Sequence, residues 1–423
     1  MPPLHLSTII TRTPSTLHGH IASLSSRYGG QGHTVLFALS SNFGEPNDLQ
    51  KAVNTLTKFN DKSSSSTTKG RVIGCLADSF TSTSHDGNAF DANSVSCSIG
   101  IFDSRSCIPF HSTLQGRQQP QVGRWHSFRN KTEEASSNEP DWQEVENASA
   151  IDWENIWKQS KSSVSSSLPH ELRSTELSQI RSLLSFSSPH PDKFTHVLAQ
   201  NFPSSSALTL VASPTHFITG REVTLFMDGQ IYGEGAVGLA LVEDEKLSCA
   251  TEFAGVNRLS GPMTITSQEG NMINELNSSN PTRLLIDALG LARISPQDNE
   301  QFALGVVDTN GQISRTYRIT AGDPSSRGGS ISLDAPTAPE VGTIVQFLHF
   351  PANSSVEVPG SPTPTVAFLT TPEPCGASTS STPDLMLENM FTVTSTRGFV
   401  LSSKRTDPWT CSLPGGVAKV QWK

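Results

Sequence analysis

The stretch that decides the fold is REVTLFMDGQIYGEGAVGLALVEDE at residues 221–245, followed by AGVNRLSGPMTITSQEGNMINELNSSNPTRLLIDAL at residues 254–289. The first part predicts a strand, a turn at Asp228 and Gly229, and a second strand, because Asp-Gly between apolar runs is a hairpin signal. The second part predicts a loop, a short polar strand and a helix capped by Asn280. Strands and helices therefore mix within one continuous region.

The composition excludes several classes of function. The chain has 423 residues, enough for two or three domains, with 35% hydrophobic and 16% charged residues. Its net charge of −9 argues against a general nucleic-acid surface, which would be basic. The six cysteines have no C-x-x-C spacing, so no zinc site is predicted. We expect no metal and no cofactor.

The compartment is predicted from apolar and charged patterning. No apolar run approaches the roughly 18 residues that a membrane span needs, and the start lacks the apolar core of a secretory signal. These patterns favour a cytoplasmic protein, with the nucleus also open. The first 44 residues contain no Asp or Glu and many Ser and Thr, as in transit peptides, which leaves mitochondrial import as the alternative.

Changes in composition divide the chain into predicted segments, some of which alternate strands with helices while others are rich in Ser, Pro or acidic residues. The predicted segments are 1–126 and 193–251 as two parts of one domain, 127–192 as a largely flexible insertion, 252–352 as a β-rich second domain, 353–384 as a Pro/Ser-rich loop, and 385–423 as a final hairpin and tail.

The predicted insertion carries the most unusual composition. Between Glu133 and Glu154 it has eight acidic residues and no Lys or Arg, with Trp142, Trp153 and Trp157 within or beside that run. One interpretation is a docking segment for a basic or grooved protein partner. The other is an insertion whose tryptophans pack back onto the domain.

One glycine motif suggests a cofactor and is rejected. Gly233, Gly235 and Gly238 match G-x-G-x-x-G, but a dinucleotide site needs a helix to open at the last glycine. The following residues, LALVEDE, are typical of a strand. The glycines are therefore expected to serve a turn or a close approach of two backbones.

A single cysteine is the candidate nucleophile. Cys75, in VIGCLAD, is predicted to end a buried strand and precede a loop, where α/β proteins often place functional groups. A thiolate there would need a nearby base or helix N-terminus to lower its pKa, and such a site would make the chain a cysteine-dependent hydrolase or transferase. The other interpretation is a buried structural thiol.

Five stretches in this order resemble the FIST family, a sensory domain with N-terminal and C-terminal halves. The first half would supply the Gly-Cys after a strand and the closing hairpin, and the second the polar strand before a helix and a late strand. The stretches are 34–43, 70–78, 221–241, 256–289 and 317–348.

The resemblance implies an α/β (α+β) fold of two lobes, with flanking helices and a β-rich second half. It implies a non-enzymatic module that binds a small metabolite, such as an amino acid, in signal transduction. Related halves follow an F-box in a ubiquitin-ligase substrate receptor, whereas no F-box pattern precedes the first predicted strand here. The alternative implied is an adaptor linked to the ubiquitin pathway.

The predicted ligand site uses loop positions at strand ends, where rigid elements can hold convergent polar groups. Arg258 is the candidate partner for a ligand carboxylate and Asp228 the candidate for an ammonium group, because ionised pairs form the stronger hydrogen bonds. The complete predicted site is Gly74, Cys75, Asp228, Arg258 and Asn271.

Overall fold

The structure is a computed structural model of mixed α/β type, rich in strands. It describes residues 2–61, 70–80, 94–114, 168–173, 179–242, 247–294, 301–322, 329–351, 360–372, 384–403 and 407–422. The helices are α1 (Pro14–Tyr28), α2 (Pro46–Thr57), α3 (His170–Arg173), α4 (Asp192–Asn201), α5 (His216–Thr219) and α6 (Pro281–Ala292).

The strands form three open sheets and one barrel. The strands that precede the barrel in the chain are β1 (His5–Thr11), β2 (Thr34–Ser40), β3 (Val72–Ala77), β4 (Val95–Phe102), β5 (Cys107–Ser112), β6 (Ile180–Ser187), β7 (Ser206–Val211), β8 (Leu225–Met227), β9 (Gln230–Tyr232), β10 (Ala236–Val242) and β11 (Ser248–Phe253). The barrel region has β12 (Asn257–Arg258), β13 (Met263–Glu269), β14 (Met272–Leu276), β15 (Gln301–Val307), β16 (Ile313–Gly322), β17 (Ile331–Leu333) and β18 (Ile344–Phe350). The strands that follow the barrel in the chain are β19 (Thr365–Thr370), β20 (Leu385–Glu388), β21 (Met390–Ser395), β22 (Phe399–Ser403), β23 (Trp409–Cys411) and β24 (Gly416–Gln421).

The three open sheets repeat one topology. Sheet 1 has the order β20-β1-β4-β2-β3-β8-β9, and sheet 2, starting at β5, has the order β5-β10-β6-β7-β22-β23. When sheet 1 is followed from β1 and sheet 2 from β5, the neighbouring strands at each position have the same relative direction in both sheets. The parallel pairs are β2–β3 in sheet 1 and β6–β7 in sheet 2, and the other pairs are antiparallel. Sheet 3, β11-β24-β19-β21, repeats the first four positions, with β19 parallel to β21. The sheets are three copies of one unit.

The unit of sheet 2 contributes a hairpin to sheet 1, and the unit of sheet 3 contributes a hairpin to sheet 2. The β8–β9 hairpin follows β7 in the chain but extends sheet 1, and β22–β23 follows β21 but extends sheet 2. The chain returns through Gly235 before β10 and Gly415 before β24, with φ of 83° and 87°. A Cβ on either would lie 2.2 Å from a carbonyl oxygen, of Ser112 or of Ala254. Gly235 therefore serves a close backbone approach, and a strand follows it, as the sequence predicted.

Helices cover the outer faces of sheets 1 and 2. In α1, Pro14 occupies the first turn, where its missing N–H costs nothing. Leu17, Ile21 and Leu24 recur at helical spacing and are buried against sheet 1 together with residues of α2. On sheet 2, residues of α3 and α4 form a second outer core.

The inner faces of the three sheets meet in one central core. Phe186 of β6 stacks against Phe368 of β19 and Phe391 of β21, with ring centroids 5.9 Å and 6.4 Å apart. All three rings are fully buried. Aromatic residues carry much of the apolar area in such cores, so this cluster is where sheets 2 and 3 pack against each other.

The free edge of β21 is closed by side chains of sheet 1. In the described part of the chain, β21 has a strand partner, β19, on one side only. On the other side, Thr8 Oγ1 donates to the carbonyl of Met390 and accepts from the N–H of Thr392, both at 2.9 Å. Ser98 Oγ donates to the carbonyl of Thr392. Hydroxyl groups thus replace the missing strand at a buried edge.

The β12–β18 region forms a separate barrel between β11 and β19. The strands close in the order β18-β13-β14-β17-β16-β15, because β15 also pairs with β18. The short strand β12 pairs with β18 on the same side as β13, nearer the end of β18. The interior of the barrel is apolar and packs against α6. The barrel joins the core where Trp409 Nε1 donates to the carbonyl of Thr316 at 3.0 Å.

The sheets group the chain differently from the predicted segments. The end of the predicted insertion 127–192 is instead α3 and the central strand β6, whose serines obscured its apolar pattern. Ser185 Oγ in β6 bonds Thr209 Oγ1 at 2.8 Å, which explains how serine is accommodated there. Residues 385–422, predicted as a final hairpin and tail, supply strands to all three sheets. The assignment of FIST halves remains a prediction.

Candidate functional site

An open groove of about 420 Å³ lies between α6 and the loop that joins β12 to β13. It combines one basic and one acidic side chain with an apolar wall. The lining residues are Arg258, Leu259, Ser260, Gly261, Met263, Leu284, Asp287, Ala288 and Leu291.

Helix α6 supplies one wall of the groove. Asn280 caps it, as predicted, by accepting the N–H of Arg283 at 2.9 Å, and Pro281 begins it. Leu284, Asp287 and Leu291 then fall on one face at helical spacing. Leu291 is 86% exposed and lies at the groove, where it offers apolar surface to a ligand.

The opposite wall is held rigid by hydrogen bonds. Ser260 Oγ accepts the N–H of Phe347 at 3.1 Å, and the carbonyl of Ser260 accepts from Gln346 Nε2. Arg258 Nη2 donates to the carbonyl of Gly311 at 3.0 Å, which directs the guanidinium while leaving further N–H groups for another acceptor. The loop is therefore organised before any ligand arrives.

A second groove, between α1 and α2, is larger but chemically less defined. Its volume is about 510 Å³, and its two charged lining residues, Lys51 and Lys58, are both basic, so it does not pair opposite charges. The lining residues are Ala22, Ser25, Asn47, Gln50, Lys51, Asn54, Thr55 and Lys58. We therefore take the α6 groove, which pairs opposite charges with apolar surface, as the candidate site.

Two of the predicted site residues are buried in sheet 1. A Cβ added to Gly74 would lie 2.5 Å from the Phe37 ring, so the glycine makes room for that ring. Cys75 is fully buried in the central core. Burial, with a smaller contribution from Asp78, raises the pKa of the Cys75 thiol well above its usual value. The thiol is protonated there, which gives a nucleophilic role no support.

Asp228 organises the predicted β8–β9 hairpin, which the structure confirms. Its backbone has a positive φ of 50°, a conformation that Asp tolerates in tight turns. Asp228 Oδ1 accepts the N–H of Val72 at 3.1 Å, and the carboxylate pairs with Arg71. These contacts fix the hairpin to the start of β3.

Asn271 ties the β13–β14 turn to β17. Its side-chain Nδ2 donates to the backbone carbonyl of Leu333 at 3.1 Å, and the backbone carbonyl of Asn271 accepts the N–H of Leu333. Of the five predicted site residues, Arg258 alone lines the groove. Asp287 was missed, although the sequence had predicted its helix; a charge three residues after Leu284, on the face that carries the apolar residues, was the available signal.

Comparison with known proteins leaves the family open. No protein-family model matches the chain, and no curated protein matches it. Within the described residues, no helix is long and apolar enough to cross a membrane, and no group of three His, Cys, Asp or Glu could hold a metal ion. Trp142, Trp153 and Trp157 lie outside the described residues, so the docking segment and the ubiquitin link remain predictions.

Proposed function

We propose that the chain is a non-enzymatic binding module that senses a small metabolite, an amino acid, at the α6 groove. The observation that carries the proposal is the presence of Arg258 and Asp287 in one groove with an apolar wall. Its volume of about 420 Å³ falls within the range of small-molecule sites. The proposed setting is the cytoplasm or nucleus, which the free cysteines among the described residues support.

The chemistry of the lining matches the parts of an aliphatic amino acid. A guanidinium binds a carboxylate through two parallel hydrogen bonds, which suits Arg258. A carboxylate accepts from an ammonium group, which suits Asp287. Met263, Leu284 and Leu291 offer apolar surface for the side chain of the ligand.

The same lining favours binding over nucleophilic catalysis. Its nine residues include no histidine and no cysteine. The hydroxyl present, on Ser260, already accepts the N–H of Phe347. A serine nucleophile needs an adjacent base to take its proton, whereas Ser260 Oγ donates its proton to the carbonyl of Gly261 at 3.0 Å.

A thermal-shift screen of the purified chain against the twenty amino acids tests this proposal. A ligand at 100 times its dissociation constant adds about 2.7 kcal/mol to the stability of the folded state. We expect aliphatic amino acids to raise the melting temperature in a saturable way. Replacing Arg258 by glutamine should weaken that binding by about tenfold or more, because it removes a charge-assisted contact.

The matched control is Arg283→Gln, which removes an exposed charge from α6 outside the groove lining. We expect this variant to respond to amino acids like the wild type. Equal responses of the wild type and Arg258→Gln would remove the groove from the proposal. A panel without any shift would contradict amino-acid sensing itself.

A further inference from the structure

Two histidines share one serine hydroxyl where α1 packs on sheet 1. His5 Nε2 lies 2.9 Å from Ser7 Oγ in β1, and His20 Nε2 in α1 lies 3.0 Å from the same oxygen. Ser7 is buried, whereas both imidazoles are partly exposed. The chain His5–Ser7–His20 therefore links the first strand to the first helix within reach of solvent.

The hydrogen bonds of this chain require a neutral imidazole. A hydroxyl has one proton to donate, and a neutral imidazole has one donor and one acceptor nitrogen. Ser7 can therefore accept from one histidine and donate to the other only while the second ring nitrogen is unprotonated. If both imidazoles carried a proton on Nε2, the hydroxyl proton would lose its acceptor in this chain.

The surroundings of the chain are mostly basic or apolar. From α1, the guanidinium of Arg27 lies 5.2 Å from the centre of the Tyr28 ring, whose centre is 5.8 Å from that of His5. The ring of His33, before β2, lies 6.4 Å beyond Tyr28. Strand β4 presents Ile101 opposite His5 and Ile99 opposite Ser7, and β20 places Glu388 opposite Ser7. On α1 as well, His18 lies 3.5 Å from Asp48 of α2.

These surroundings disfavour a second positive charge. Burial, then His20 and then Arg27, lower the pKa of His5 to about 4. Burial also lowers the pKa of His20. Both histidines are therefore neutral at neutral pH, which is the state that the shared hydroxyl needs.

We infer that the His5–Ser7–His20 chain is an acid-sensitive latch that holds α1 on sheet 1. When acid protonates the two histidines, the hydrogen-bond chain breaks and two cations face each other beside Arg27. The helix then loosens and uncovers Leu17, Ile21 and Leu24, the apolar face that it buries at neutral pH. The latch does not depend on the proposed ligand groove, which lies in the barrel.

The direction of the pH effect follows from the lowered pKa values. The folded state binds these protons less readily than the unfolded state, in which histidine titrates near its ordinary value of about 6.5. The contribution to stability is therefore complete above about pH 6.5 and is lost as the pH falls towards the folded value of about 4. A single group changes an opening equilibrium by at most about tenfold per pH unit in this window.

Hydrogen exchange of the α1 amides tests the latch. The opening equilibrium is measured from about pH 7.5 to about pH 5, after correction for the intrinsic pH dependence of exchange, with α6 as the internal reference. Solvent screens the charges of both histidines, which are partly exposed, and this reduces the effect of their titration. We therefore expect α1 opening in the wild type to increase by about tenfold over this pH range. His20→Gln keeps a hydrogen-bonding side chain that does not titrate, so the increase should become smaller, and the remainder should come from His5, whose pKa is lowered chiefly by burial.

The control is His196→Gln, which replaces an exposed histidine on α4 and should behave like the wild type. His5→Gln is the second test variant, in case the change at His20 disturbs the helix. The inference is overturned if the wild type and both test variants open with the same pH dependence. It is also overturned if α6 opens in parallel with α1, because acid would then unfold the whole chain.

Discussion

Replacing Thr8 by valine is expected to lower the free energy of unfolding by about 2–5 kcal/mol, because the change leaves two buried backbone groups without a hydrogen-bond partner. Valine keeps the shape and the β-branching of threonine but has no hydroxyl. The carbonyl of Met390 then loses its donor, and the N–H of Thr392 loses its acceptor. Both residues are almost fully buried, so water cannot replace the hydroxyl without entering the core.

Denaturant unfolding measures this effect. The matched control is Thr410→Val on the exposed side of β23, which should change stability by less than about 0.5 kcal/mol. The slope with denaturant should stay unchanged in both variants. A loss below about 0.5 kcal/mol for Thr8→Val would mean that the β21 edge is satisfied without this hydroxyl.

Replacing Phe186 by alanine is expected to lower the free energy of unfolding by about 3–5 kcal/mol, the range for removing a fully buried aromatic ring. Phe186 contacts rings from two strands of sheet 3, Phe368 and Phe391, so the cavity would open where sheets 2 and 3 meet. Close-packed sheets cannot collapse fully into such a space, and the lost contacts are not recovered.

The control for this change is Phe217→Ala in α5. Phe217 is fully exposed, so its removal should leave the free energy of unfolding within about 0.5 kcal/mol of the wild type. A small effect at both positions would contradict the packing of sheets 2 and 3 around one aromatic cluster. Calorimetry of the same variants gives an independent measure through the shift in melting temperature.

Local elements could be predicted from the sequence because their signals are local. Asn280 caps α6, and Asp228 with Gly229 turns the β8–β9 hairpin, as expected from their residue types. The strand after Gly235 was also predicted, which removed the dinucleotide site. Such features depend on the conformational preferences of a few neighbouring residues.

The threefold repeat could not be predicted in the same way. Its copies match in strand order and direction, which are properties of pairing between distant segments. Strand β6 was assigned to an insertion because its serines conceal the apolar pattern, although their hydroxyls bond neighbouring strands. The edge of β21 depends on Thr8, more than 380 residues earlier in the chain.

The candidate site illustrates the same limit. Arg258 was a reasonable choice from its position before a strand, and it lines the groove. Its expected acidic partner, Asp228, lies in sheet 1 and pairs with Arg71, whereas Asp287 lines the groove with Arg258. Convergence of charges is a tertiary property, so the sequence could nominate groups but could not pair them.

Calorimetric titration with leucine and two of its analogues tests the central claim most directly. Isocaproate lacks the ammonium group of leucine, and isoamylamine lacks the carboxylate. We expect leucine to bind the wild type more tightly than either analogue, with each lost charge-assisted contact worth about 1.5–3 kcal/mol. Asp287→Asn should weaken leucine but spare isocaproate, and Arg258→Gln should weaken leucine but spare isoamylamine. No leucine binding, or equal binding by the wild type and both variants, would contradict an amino-acid site in the α6 groove.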